Sequence, residues 1–123
     1  MTVGQWDSVR KLLEEFQPIE LHHGDCVGAD ADVDALASGL FIHRVIHPPA
    51  QEVLRAFCRS TEMREPKDYL ARNRDIVDES DVLLVCPRDY DEKQRSGTWS
   101  TKRYAVKQGK PVIVIWPNGE VKR

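Results

Sequence analysis

The sequence has no apolar run near the roughly 20 residues that a membrane-spanning helix needs. It has no basic stripe: 18 lysines and arginines and 20 acidic residues are mixed along the chain, for a net charge of −2. That excludes the electrostatic footprint of an extended DNA or RNA binder and leaves a single nucleotide open. It has only three cysteines, Cys26, Cys58 and Cys86, odd in number and far apart. They fit neither a disulfide framework nor a CxxC zinc site. The opening residues Met1 to Asp7 lack the basic and apolar regions of a signal peptide. The expectation is a cytoplasmic chain with reduced thiols and no membrane partner. There is no internal repeat and no low-complexity linker. What is present, 123 residues at 41% apolar and 31% charged, suits one folded domain spanning 1–123.

Helix and strand patterns alternate along that domain. Trp6, Val9, Leu12, Leu13 and Phe16 recur at helical spacing, which predicts a helix from Gln5 to Phe16 ended by Pro18. Ile19 to His23 reads as a short strand, Ala29 to Ser38 as a helix, and Phe41 to Ile46 as a strand stopped by Pro48-Pro49. A short helix is expected from Gln51 to Cys58 and a longer one from Lys67 to Glu79. Val82 to Cys86 is a continuous apolar run, the mark of a strand covered on both faces. A polar loop follows, then a helix from Gly97 to about Gln108 and a last strand from Pro111 to Trp116. Four strands separated by helices imply right-handed crossovers and a parallel sheet, with ligands outside the carboxyl ends of the strands.

Two glycine turns fall at that edge. His23-Gly24-Asp25-Cys26-Val27-Gly28-Ala29-Asp30 links a strand to a helix. Its glycines permit close backbone approach, and the new helix offers free N–H groups and a favourable dipole to an anion. Ser96-Gly97-Thr98 opens another helix after the buried strand. The plainer readings are a tight turn that binds nothing and a helix cap. Two such turns at one sheet edge favour an anion site more than either alone.

These motifs, together with Arg72-Asn73 on the helix leading to Asp81, resemble the SLOG superfamily of Rossmann-like proteins, closest to its YspA/YpsA-like members. The resemblance covers nearly the whole chain. It implies a Rossmann-like three-layer α/β fold with a parallel sheet and a nucleotide or nucleotide-derived phosphate ligand, with no particular cofactor. Relatives include LOG-type phosphoribohydrolases, which cleave the N-glycosidic bond of nucleoside monophosphates. Their catalytic arginine corresponds to Arg72. Their glycine-rich motif falls on Gln94 to Thr101, where Gly97 and Thr98 match, Gln94 and Arg95 replace glycines, and Thr101 stands at the catalytic glutamate. Asp30 is the candidate for a substitute carboxylate. Family members usually begin with a strand ending in a phosphate-binding turn. Here Met1 leads almost directly into a helix where the resemblance implies a strand in mid-sheet beside those at Ile19 and Val82; either the true start lies upstream or the chain closes the sheet differently. The expectation is a four-stranded sheet with an abnormal centre or a swapped contact. Relatives commonly form homodimers, which is the assembly the resemblance implies.

The candidate ligand residues are thus Gly24, Asp25, Gly28, Ala29, Asn73, Ser96, Gly97 and Thr98, with Arg72 and Asp30 as candidate catalytic groups. Arg72 would clamp a phosphate, against the plainer reading of a solvated helix charge. Asp25 and Asp30 would accept ribose hydroxyls, cap the helix or hold a divalent cation. His22 and His23 point to opposite faces of a strand, while His23 and His47 each end a strand and are placed to meet at the ligand edge. No metal site is expected, because the histidine spacing matches no ligand pattern. Trp99 is expected in the core rather than against a base. Arg88, Lys93 and Arg95 form either a lid or a mobile surface loop. Three functions stay open: nucleotide binding with N-glycosidic hydrolysis, a non-catalytic sensor or carrier, and a decayed interaction domain.

Overall fold

The structure, a computed structural model, describes residues 1–59, 62–91 and 97–123. Its elements run α1 (Val3–Phe16), β1 (Glu20–His23), α2 (Ala29–Gly39), β2 (His43–Ile46), β3 (Glu62–Met63), α3 (Tyr69–Glu79), β4 (Leu83–Val85), α4 (Gly97–Lys107), β5 (Val112–Ile115) and β6 (Val121–Lys122). The chain is mixed α/β, and among the described residues it has four helices and two small sheets. One sheet is wholly parallel, in the order β1-β2-β3, with His22 opposite Val45 and His23 opposite Ile46. In the other, β4 pairs parallel with β5, and β6 adds antiparallel to β5. No helix among the described residues is long and apolar enough to cross a membrane.

α1 starts two residues before the apolar pattern does, because Thr2 caps it. The Thr2 hydroxyl accepts from the Gln5 amide at 3.0 Å, and the Gln5 side chain accepts from the Thr2 amide at 3.1 Å. This reciprocal box satisfies two donors that would otherwise be orphaned. Thr2→Ala is expected to lower stability by about 1 kcal/mol, read from the urea midpoint.

Strand alternation distributes β4 and β5 between two cores. Leu84, Ile113 and Ile115 join Val9, Leu12 and Leu13 of α1 and Leu36 of α2, with Leu21 of β1 packed alongside. Leu83, Val85, Val112 and Val114 turn the other way, toward Trp99 of α4. The two-sided covering explains why Leu83 to Cys86 is apolar at every position, while Val82 before it is exposed.

Two expectations are corrected. The single four-stranded sheet is replaced, among the described residues, by six strands in two sheets. β3 and β6 are two residues long, too short to leave a hydrophobic pattern, and β1 and β4 are not hydrogen-bonded to each other. The helix from Gln51 to Cys58 does not form. Its backbone bonds run outward to the turn after β1: Ala56 N–H to Asp25 O, Leu54 O from Val27 N–H, and Cys58 N–H to the Asp25 carboxylate. Those partners take the groups that an i to i+4 ladder would need.

Candidate functional site

The turn after β1 is built around Asp25, which is fully buried in a left-handed conformation with φ 57°. Its carboxylate accepts from Arg55 Nε and from the Cys58 N–H, both at 2.8 Å. Burial works against the charge, but the Arg55 hydrogen bond and the Cys58 amide together outweigh it and hold the Asp25 carboxyl below its ordinary value. The Asp25 N–H donates to His23 Nδ1 at 3.0 Å, and the Cys26 N–H to Asp30 Oδ2 at 3.1 Å. With the Val27 N–H on Leu54 O, three successive amides of this turn are used inside the chain. The cradle expected at Gly24–Gly28 is therefore closed over its first half.

The second half is open. α2 has no side-chain cap, and Gly28 turns the chain with φ 98°, a conformation that costs other residues a steric clash. The N–H groups of Gly28, Ala29, Asp30 and Ala31 meet no acceptor among the described residues. α1 and α3, by contrast, are capped by Thr2 and Asp68.

Arg72 lies beside this turn, but it faces inward and is only 5% exposed. Its Nη1 donates to Gly24 O and, at 3.2 Å, to His47 O, joining the chain just beyond β1 to that just beyond β2. Nε donates to Asn73 Oδ1 at 2.7 Å, and Nη2 approaches Cys26 Sγ at 3.8 Å. Gly24 is required by this packing, since a Cβ there would lie 2.4 Å from Arg72 Nη1. Asn73 instead lines a cleft of about 470 Å³ between α3 and α4, together with Thr101, Arg74, Tyr104 and Lys107. The Thr101 hydroxyl donates to Gly97 O at 2.7 Å.

No protein-family model, curated protein or solved structure matches this chain. Its chemistry is read from its geometry alone. Gly97 and Thr98 open α4, whose buried Trp99 packs on Val85 and lies 5.9 Å from the Trp116 ring, just past the ends of β4 and β5. Trp99 is a core residue. Ser96 lies outside the described residues, as do Lys93, Gln94 and Arg95. Cys86 follows β4 directly. Burial pushes its thiol up to about 12, and the Asp30 carboxylate in the turn after β1 adds to the rise.

The histidines sort differently from the expectation. His23 Nε2 meets Asp34 at 2.9 Å, while His22 Nδ1 meets His47 Nε2 at 2.8 Å. β1 alternation sends His22 and His23 to opposite faces as expected, and it is His22 that shares a face with His47. The inter-strand register that decides this has no signature in the sequence.

Proposed function

We propose that the chain is a SLOG-like Rossmann domain that holds a phosphate-bearing, nucleotide-type ligand at the carboxyl edge of β1 and β4, as a sensor or carrier. The observation that carries this reading is the run of four unclaimed amides, Gly28 to Ala31, at the uncapped start of α2. Such a run presents convergent donors and the positive end of a helix dipole to an anion. Helices on both faces of β4 and β5 support the three-layer arrangement.

Binding without hydrolysis is favoured by the state of the candidate catalytic groups. Arg72 is engaged with two backbone carbonyls, Thr101 brings no carboxylate, and Asp30 Oδ2 is held by the Cys26 amide. The ligand class is tested by thermal melting with AMP, ADP and inorganic phosphate. Ligand at 100 times its Kd is expected to stabilise by about 2.7 kcal/mol. Ala29→Glu adds a carboxylate at the first turn, where the helix tolerates it and a phosphate does not. Its expected result is an unchanged or slightly raised melting temperature without ligand and at least tenfold weaker binding. No stabilisation by any of the three compounds, or unchanged binding by Ala29→Glu, overturns the reading. Release of free base on incubation with AMP would restore the hydrolase.

A further inference from the structure

On the face of β1 opposite His23, His22 and His47 bring two ring nitrogens to 2.8 Å. His47 is 2% exposed. The outer nitrogen of His22, Nε2, lies 2.9 Å from Glu20 Oε2. A carboxylate only accepts, so Nε2 carries the proton and the Nδ1 lone pair faces His47. On the far side, Glu79 Oε2 stands 4.0 Å from His47 Nδ1. Arg64 bonds the other oxygen of Glu79, Oε1, and leaves Oε2 unengaged by that pair. One ligand atom from each of His22, His47 and Glu79 lies within 4.8 Å of one from each of the others.

We propose that His22, His47 and Glu79 form a zinc-type divalent metal site, with Glu20 fixing the His22 ring from outside. In the metal-free protein a single proton on His47 Nε2 bridges the two inner nitrogens; on binding it shifts to His47 Nδ1, the ion takes its place, and the Glu79 carboxylate swings from the Nδ1 edge of the ring toward the ion. Tetrahedral zinc with Zn–N near 2.0–2.1 Å sets its nitrogens about 3.3 Å apart, so the rings need separate by only about half an ångström. Two imidazoles and a carboxylate match the donor set zinc accepts. The Glu20–His22 contact is the outer carboxylate that orients a ligating imidazole and raises its basicity.

A second cluster, His23, Asp34 and Cys58, has similar spacing and does not qualify. His23 Nδ1 accepts the Asp25 N–H, so its Nε2 must carry the proton it gives to Asp34 and has no lone pair to offer. Burial and the Asp25 hydrogen bond push the Cys58 thiol up to about 12, away from the thiolate a metal needs.

The site stands apart from the nucleotide reading and is tested without any nucleotide. The whole chain is titrated with Zn²⁺ by calorimetry and with Co²⁺ by visible absorption. The expected result is one ion per chain, a raised melting temperature with Zn²⁺, and a Co²⁺ spectrum of low-symmetry nitrogen and oxygen ligation. His22→Gln and His47→Gln are each expected to weaken Zn²⁺ binding at least tenfold. Glu79→Gln, at a surface position that leaves the fold intact, is expected to weaken it severalfold, and it decides the matter should the buried histidine variants not fold. Cys58→Ser is expected to bind as wild type. Absence of stoichiometric binding, unchanged affinity in Glu79→Gln or His47→Gln, or loss of binding in Cys58→Ser overturns the proposal.

Discussion

Replacing Arg72 by methionine is expected to lower the unfolding free energy by about 3 kcal/mol, a fall in melting temperature of roughly 10 °C for a domain of this size. Methionine keeps the apolar stem, so the loss isolates the guanidinium. Without it, the carbonyls of Gly24 and His47 lose a charged donor in a place water barely reaches. Lysine should restore little, because one ammonium cannot span two carbonyls and the Asn73 side chain with a planar fork. Gly24→Ala probes the same contact from the other partner. Its Cβ would come within 2.6 Å of Arg72 Cζ, and the guanidinium could yield only by giving up its bonds. The two substitutions should therefore be non-additive, with Gly24→Ala milder in the Arg72→Met background than alone. A phosphate-clamping Arg72 predicts the opposite pattern: near-normal urea unfolding and lost ligand binding.

Arg72 also shows where sequence reading reached its limit. Its position near Asp81 was legible, yet periodicity cannot say whether a guanidinium turns outward to solvent or inward to backbone. α1 was legible because Val9, Leu12 and Leu13 repeat at helical spacing and are all buried. β4 was legible because both its faces are covered. Gln51 to Cys58 was misread as a helix, since its composition permits one and the competing bonds to Asp25 and Val27 come from about 30 residues away. The two-residue strands β3 and β6 are too short to show a period. At the candidate site, Gly24, Asp25, Gly28 and Ala29 were found by their placement between a strand and a helix. That the amides after Gly24 face inward and those after Val27 do not depends on Leu54, His23 and the Asp30 carboxylate, none of which a local motif specifies. The His22–His47 pair follows from a register in which His47 stands one residue beyond the partner of His23.

Asp25→Asn is expected to destabilise the protein by about 3 kcal/mol at pH 7, and the difference is expected to shrink in acid. Asparagine tolerates the left-handed backbone at this position as well as aspartate does, so the substitution tests the charge and not the turn. An amide has one acceptor where the carboxylate uses two oxygens, one on Arg55 and one on Cys58 N–H, and it leaves the largely buried guanidinium only the exposed Glu52 carboxylate, 3.9 Å from Nη1, as a counter-charge. The pH dependence has a fixed sign. The Asp25 carboxyl is held below its ordinary value of 3.8 in the folded state, so its contribution is complete above that value and is lost as the pH falls through the folded pKa. Urea midpoints measured from pH 7 to pH 3 should therefore fall for the wild type in the acid range and move toward those of Asp25→Asn. A carboxylate kept for a ribose hydroxyl instead of for the fold would leave the two proteins equally stable at pH 7.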